Sequence, residues 1–318
     1  MTDLPALSNG TLKPLKTFPA DNPVDQFISG QLSEKTKKAY YSDLCQFFGS
    51  GKITLEDIQL ITFQDLIDYR NELSSQGYKR STINRKLSSL KAFFKMLVAA
   101  GLIENNPADT SLVRGYRQEE NLNNKAIPNA ALQSIFNMVS EEENELLRAR
   151  NTALIFLLTY GGLRRSEAAK INWSDIRQEG AFYILDLPET KSGVPQDIKL
   201  QAAVIHHLNE YKNKLQDNGY STEAAVFISL SPNKSHGAPL SDHSINQIVK
   251  KIALKAGVNQ NITAHMFRHT CCTLAIEGGA KPQQVQAHLR HKDLKTTMHY
   301  YENREKLVDN ASDYINVK

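Results

Sequence analysis

Two imidazoles and a guanidinium stand close together in the stretch Ala264-His265-Met266-Phe267-Arg268-His269-Thr270. On a helix, residues three apart share a face, so His265 and Arg268 can address one point while Met266 and Phe267 turn elsewhere. The same spacing recurs in GGLRRSEAAK, where Arg164 and Glu167 follow a glycine break. Two guanidinium forks placed this way suit one tetrahedral anion, and phosphate oxygens are the natural fit. A metal suits the group poorly. The His265/His269 pair has no acidic or thiolate third ligand at convincing spacing, and an adjacent arginine repels a cation. A histidine satisfied at a helix end is the plain alternative for His265 taken alone. A tyrosine pair, Tyr300-Tyr301, follows His291 and adds a hydroxyl to the group.

Residues so far apart in the chain need rigid elements to bring them together. Residues 1–23 carry Pro5, Pro14, Pro19 and Pro23 among scattered polar residues, the composition of a mobile arm. Helical patterning then predicts helices over 35–48, 62–75 and 81–100. In the last of these Ile83, Leu87, Leu90, Phe94 and Leu97 fall four and three apart and make one buried stripe. With turns at Gly49-Ser50-Gly51 and Gln76-Gly77, residues 24–107 read as a bundle of about four helices. Residues 108–125 are polar, lack an apolar period and read as a linker. In the second domain, residues 126–318, helices are expected over 130–139, with Asn129 as N-cap, over 142–159, and over 164–172 after Gly161-Gly162. FYILDL (182–187) and QDIKL (196–200) flank ETKSGVP as a β-hairpin with Gly193 in its turn. Helices return afterwards, Gly278-Gly279 ending one and Pro282 opening the next. A short amphipathic tail helix carries Leu307, Val308, Ala311, Tyr314 and Ile315 on its apolar side. The fold class expected is mainly α with a small antiparallel β-sheet in the second domain.

With 318 residues, 41% of them apolar or aromatic and 23% charged, the chain has the composition of an ordinary globular protein. A net charge of +4, from 38 basic and 34 acidic residues, identifies no polyanionic partner unless the charge is clustered. It is clustered. KRSTINRKLSSLKAFFKM holds Lys79, Arg80, Arg85, Lys86, Lys91 and Lys95 without an acid, and SEKTKKAYYSD adds Lys35, Lys37 and Lys38. Such a run reads as a surface for a phosphate backbone, with a solvated basic face as the bland alternative. Cys45, Cys271 and Cys272 form neither a disulfide framework nor a metal spacing, which fits a reducing, intracellular compartment. The longest apolar run, Ala153 to Leu158, is far too short to span a membrane, and the N-terminus has no signal-peptide pattern.

GLRRSE, a hairpin with ETK, then HMFRHT, then LRHKDLKTTMHYY resembles the ordered motif set of the tyrosine recombinases, the phage integrase family. Each motif is weak alone, but the set in this order is highly specific, and the resemblance covers nearly the whole chain. It implies an N-terminal helical core-binding bundle and an α+β catalytic domain. It also implies roles: Arg164 and Arg268 clamp the scissile phosphate, Lys191 is general acid and Tyr300 the nucleophile. His265 and His291 hydrogen-bond the phosphate or shuttle the tyrosine proton, and Glu167 orients its neighbours. The implied activity is site-specific DNA recombination through a covalent 3′-phosphotyrosine, without metal or cofactor. The implied partners are double-stranded DNA, held by the basic residues named above, and further copies of the chain, a tetramer on paired sites in the cytoplasm at the nucleoid. A tyrosine-dependent topoisomerase or resolvase, and a catalytically silent DNA-binding regulator, are the alternatives. Three departures from the family pattern stand out. The hairpin lacks the further basic residues usual in its second strand, which leaves Lys199 as an alternative to Lys191. Tyr301 is an alternative to Tyr300. Arg290 occupies the place before His291 where the family usually has glycine. Arg165 and His269 are expected to face away from the site, and Cys271-Cys272 to pack in the core. The tail is expected to dock on a neighbouring protomer or on its own.

Overall fold

The structure is a computed structural model that describes residues 22–117, 126–187, 195–232 and 235–302, with 296 and 299 excepted. Residues 1–21 of the expected N-terminal arm, the hairpin turn with Lys191 and Gly193, and the tail helix lie outside the described residues, while Asn22 and Pro23, expected in the arm, cap and open a helix. The chain divides into two compact units, residues 1–120 and 121–318.

The first unit is helical: α1 (Pro23–Ser29), α2 (Glu34–Phe48), α3 (Leu55–Gln59), α4 (Phe63–Ser75) and α5 (Arg80–Ala99). Local chemistry sets several of these limits. Thr54 and Thr62 each cap a helix in reciprocal exchange with the carboxylate three residues on, Asp57 and Asp65. Gly49 ends α2 in the left-handed region, with φ 72°. The expected stripe of α5, Ile83, Leu87, Leu90, Phe94 and Leu97, is buried, and Phe93 joins it in a core with Leu44, Leu66 and Leu73. At about 1.5–3 kcal/mol for each fully buried side chain, this face rather than helix propensity holds the unit together. Residues 108–117 lack an apolar period, yet they pack onto this unit. Ala108 and Val113 are buried in its core, and the Asn84 side chain donates to the Tyr116 carbonyl and accepts from its amide.

The second unit contains α6 (Asn129–Ser140), α7 (Glu145–Gly161), α8 (Arg165–Ala168), a 3₁₀ turn (Trp173–Asp175), and strands β1 (Ile176–Glu179), β2 (Phe182–Leu187) and β3 (Gln196–Leu200). Helices α9 (Ala202–Asp217), α10 (Asp242–Lys255), α11 (Ala264–Glu277) and α12 (Pro282–Leu289) follow. The strands form an antiparallel sheet in the order β1-β2-β3, with Leu185 opposite Ile176 on one side and Ile198 on the other. Leu185, Leu187, Ile198 and Leu200 alternate inward, as a half-buried sheet requires. Helix α7 runs through the middle of the unit against α6, α9 and α11, and its Ala153–Leu158 run is apolar because nearly every side of it is covered.

The structure is mainly helical with a small antiparallel sheet, as expected. Some limits differ. Asn129 is the first residue of α6 and Pro128 holds the cap position. Helix α7 starts at Glu145, where the Asn144 side chain accepts from the Leu147 amide at 2.9 Å. The helix expected over 164–172 is the single turn α8. Strand β1 was not foreseen, since IRQE carries one apolar residue and leaves period-2 patterning nothing to detect. No described helix is long and apolar enough to cross a membrane.

Candidate active site

The site forms where α7 ends, and a glycine makes that end possible. Gly162 has φ 55°, and a Cβ there would come within 2.4 Å of Leu289 Cδ2 and 3.2 Å of Cys271 Sγ. Its carbonyl accepts from Arg268 Nη1 at 2.7 Å, and the Leu289 carbonyl accepts from Arg268 Nη2. One guanidinium on α11 thus ties down the ends of α7 and α12. Arg268 is only 4% exposed. Burial, and then the charges of Arg164 and Arg290, pull its pKa down to about 10, so it keeps its proton at neutral pH.

Arg164 is the residue before α8 and Glu167 stands in the first turn of that helix. Glu167 accepts from the Arg164 amide at 2.7 Å and from Arg164 Nη1 at 2.6 Å. Arg290 Nη2 donates to the same carboxylate at 2.8 Å, and Arg164 Nη2 donates to the Arg290 carbonyl at 3.4 Å. Burial opposes ionisation of Glu167. The Arg290 charge, the Arg164 amide and the Arg164 guanidinium outweigh it and hold the carboxyl below its ordinary range. Two guanidiniums therefore share one carboxylate, with that of Arg268 nearby, and the group keeps a surplus of positive charge largely out of bulk water.

His291 follows directly. Its Nδ1 pairs with Thr297 Oγ1 at 2.8 Å. Burial first, then the charges of Arg268, Arg164, Arg290 and His265, push its pKa down to about 4, so it is neutral at physiological pH. A neutral imidazole offers one donor and one acceptor.

Tyr300 is 8% exposed and packs in an apolar cluster with Cys271, Cys272, Ile276, Val285 and Leu289. Its hydroxyl is hydrogen-bonded to Nδ1 of His269, and the two rings lie stacked with centroids 5.8 Å apart. His265 sits one turn earlier on α11, its ring 4.5 Å from that of His269. His269 was expected to face away, and it is instead the histidine bonded to the tyrosine. The signal was present in the sequence: four residues separate His265 from His269, which places both on one face of a helix.

The structure thus brings Arg164, Glu167, His265, Arg268, His291 and Tyr300 into one neighbourhood and adds His269 and Arg290 to it. Lys191 lies outside the described residues. Lys199 is exposed on β3 with its ammonium over the Phe182 ring at 4.4 Å. Tyr301 packs against the same cluster as Tyr300. Arg165 forms an ion pair with Asp242 at 3.3 Å, and both adjacent cysteines are buried. Among the described residues, one group of metal-ligating type has its ligand atoms within 4.8 Å of one another, His206, His207 and Glu210 on α9, and it includes no residue of this site.

The basic run of α5 is divided. Asp43, buried on α2, accepts from both Nη atoms of Arg85, from Lys86 Nζ at 3.1 Å and from Ser89 Oγ at 2.7 Å. Lys86 is buried, and Arg85 is held although its side chain is 49% exposed. The run is therefore not unopposed: its acid comes from another helix. Lys79, Arg80 and Lys95 stand exposed and Lys91 half-exposed. On α2, Lys35 and Lys38 are exposed, and Lys37 pairs with Glu34 at 2.7 Å.

Two families match the chain. The phage integrase family matches residues 125–306, and the phage integrase N-terminal SAM-like domain matches residues 25–101. The chain is 30% identical over 272 residues to the tyrosine recombinase XerC of Listeria monocytogenes serotype 4b, covering 84% of this chain and 87% of that protein. It is 28% identical over 292 residues to the tyrosine recombinase XerC of Lacticaseibacillus casei, covering 91% and 93%. Among solved structures, the XerH site-specific recombinase in a post-cleavage complex with its palindromic difH substrate superposes with a TM-score of 0.69 at 19% identity, over 87% of this chain and 79% of that one. A lambda integrase dimer bound to a COC′ core site gives 0.68 at 18% identity, over 93% and 98%. The Tn1549 transposon integrase with a circular-intermediate DNA gives 0.66 at 17%, over 91% and 99%.

Proposed function

The chain belongs to the phage integrase family, and from that premise we propose that it is a site-specific DNA recombinase that cuts and rejoins strands through a covalent 3′-phosphotyrosine on Tyr300. The observation that carries the reading is the Tyr300 hydroxyl hydrogen-bonded to His269 beside a buried excess of guanidinium charge. A tyrosine hydroxyl, with an ordinary pKa of about 10, is a weak nucleophile at neutral pH and needs a base and a positive field. The neighbourhood supplies both.

The phenolic oxygen bonds to phosphorus as the bond from phosphorus to the 5′ oxygen breaks. The phenolic proton passes to His269 Nδ1, with His265 one turn away. Arg164 and Arg268 hold the non-bridging oxygens as negative charge builds on them, and donors placed in advance lower such a barrier by several kcal/mol. The same charge does what a divalent cation does in many phosphoryl transfers, so the reaction proceeds without metal. His291, neutral, donates or accepts a hydrogen bond at the phosphate. The departing 5′ oxygen takes its proton from Lys191. Because the phosphodiester energy is retained in the phosphotyrosine, a 5′ hydroxyl from a second duplex attacks it, restores Tyr300 and reseals the strand without ATP.

The DNA is held through its backbone by the exposed cations of the first unit, Lys35, Lys38, Lys79, Arg80, Lys91 and Lys95, as sequence-independent affinity requires. Exchange of strands between two duplexes calls for a tetramer on paired sites, and the transposon integrase among the structural relatives favours a mobile element as the setting. The test uses a nicked suicide duplex carrying a site that the protein selects from a random-sequence pool. Protein shifted covalently on a denaturing gel is expected. No shift with the unaltered chain, or an equal shift with Tyr300→Phe, would sink the reading.

A further inference from the structure

We propose that Arg290 is a positioning residue for this reaction: it answers the buried charge of Glu167 so that Arg164 keeps its own for the scissile phosphate. The proposal rests on the strand-transfer reading. Arg290 is the one non-glycine residue with positive φ among the described residues, at φ 56° and ψ 47°. Glycine adopts that conformation freely, whereas an L-residue there is strained, so a side chain at this place has to return something. Its guanidinium is 2% exposed. Nη2 donates to Glu167 Oε2 at 2.8 Å, Nη1 donates to the His288 carbonyl at 2.9 Å, and Nε has no hydrogen-bond partner among the described residues. Its own carbonyl accepts from Arg164 Nη2 at 3.4 Å.

A purely structural role explains this poorly. A strained backbone and a buried donor without a partner both work against stability, and a buried ion pair by itself is a weak stabiliser. The charge count explains it better. With glycine at 290, Glu167 would face Arg164 alone at 2.6 Å, and that pair would offer an incoming phosphate little net field. With Arg290 in place, Glu167 still orients Arg164 through its amide and guanidinium, while its charge is met from the opposite side. Arg290 therefore lets one carboxylate align the clamp without cancelling it.

The test compares Arg290→Gly, Arg290→Lys and Arg290→Met in three measurements: the rate of covalent trapping on the nicked suicide duplex at saturating protein, the affinity for that duplex, and the melting temperature. Glycine relieves the backbone but takes one partner from the buried Glu167 and empties the space of a buried side chain, so the melting temperature is expected to fall, with affinity within about two-fold and trapping slowed by about ten-fold or more. Lysine, which keeps the charge, is expected to trap about ten-fold faster than methionine, which has similar length without it, and that pair carries the test if the glycine variant fails to fold. Adding Glu167→Gln to Arg290→Gly removes the unanswered carboxylate and is expected to raise trapping above the single variant. Trapping by Arg290→Gly at the wild-type rate, lysine no faster than methionine, or a double variant slower than Arg290→Gly overturns the assignment. Absence of trapping by the unaltered protein overturns the strand-transfer reading and this one with it.

Discussion

Each unit sets a buried carboxylate against cations, at least one of them from another element, and the two use the arrangement to opposite ends. In the helical unit, Asp43 on α2 gathers Arg85, Lys86 and Ser89 from α5 and joins the two helices. Of the charges it takes, Lys86 is withdrawn from the surface and Arg85 is neutralised at it, and the cations left to meet a polyanion are those in water, such as Lys79 and Lys95. In the second unit, Glu167 engages Arg164 and Arg290 while Arg268 lies bonded to carbonyls nearby, so guanidiniums outnumber carboxylates in a cluster where Glu167, Arg268 and Arg290 are buried and Arg164 is 28% exposed. A positive charge in water gives long-range, salt-sensitive attraction. The same charge in a shielded pocket stabilises an anion far more strongly and needs little reorganisation to do so. Under the proposed function, the comparison separates holding DNA from reacting with it.

The largest effect that could break this division is at the nucleophile. Tyr300→Phe is expected to lower covalent trapping by about 10⁴-fold or more with folding and DNA affinity retained, read by denaturing gel and by binding isotherm. Next, Arg164→Ala is expected to slow trapping by about 10²–10³-fold and leave most of the affinity; an equal loss in both would merge the two regions. In the helical unit, Asp43→Ala leaves two cations without their buried partner, and a loss of about 3 kcal/mol in denaturant unfolding is expected, with the residual folded protein trapping normally. Smaller still, Lys79→Ala and Lys95→Ala are each expected to weaken binding uniformly across sequences and flatten the slope of log affinity against log salt by about one, with trapping at saturation unchanged. The smallest effect concerns pH. The folded pKa of His291 lies at about 4, below its ordinary value of 6.5. The unfolded chain therefore binds the proton first, and the contribution of this residue is complete above pH 6.5 and lost as pH falls toward 4. His291→Gln is expected to flatten the stability profile across that window, by on the order of 1 kcal/mol after solvent screening.

Local patterning made much of this visible in advance. The apolar stripe of α5 is buried residue for residue, because four-and-three spacing has one geometric solution on a helix. The β2–β3 pair falls where alternation placed it, since Leu185, Leu187, Ile198 and Leu200 share one face. β1 escaped notice for want of apolar residues, and α8 proved a single turn because Glu167 folds back to cap Arg164. At the site, spacing paired His265 with Arg268 and Arg164 with Glu167, and the resemblance to the family's short, local motifs joined His291 and Tyr300 to them.

What the amino-acid order determined by itself was therefore which faces are apolar, where helices begin and end within a few residues, and which side chains make up the candidate set. Only the tertiary structure decided which partner each charge or hydroxyl meets. Asp43 answers Arg85 across 42 positions, Glu167 answers Arg290 across 123, and Tyr300 finds His269 across 31. Periodicity reports the direction a side chain takes from its own helix. Its counterpart comes from another element, and that is set by how the elements pack.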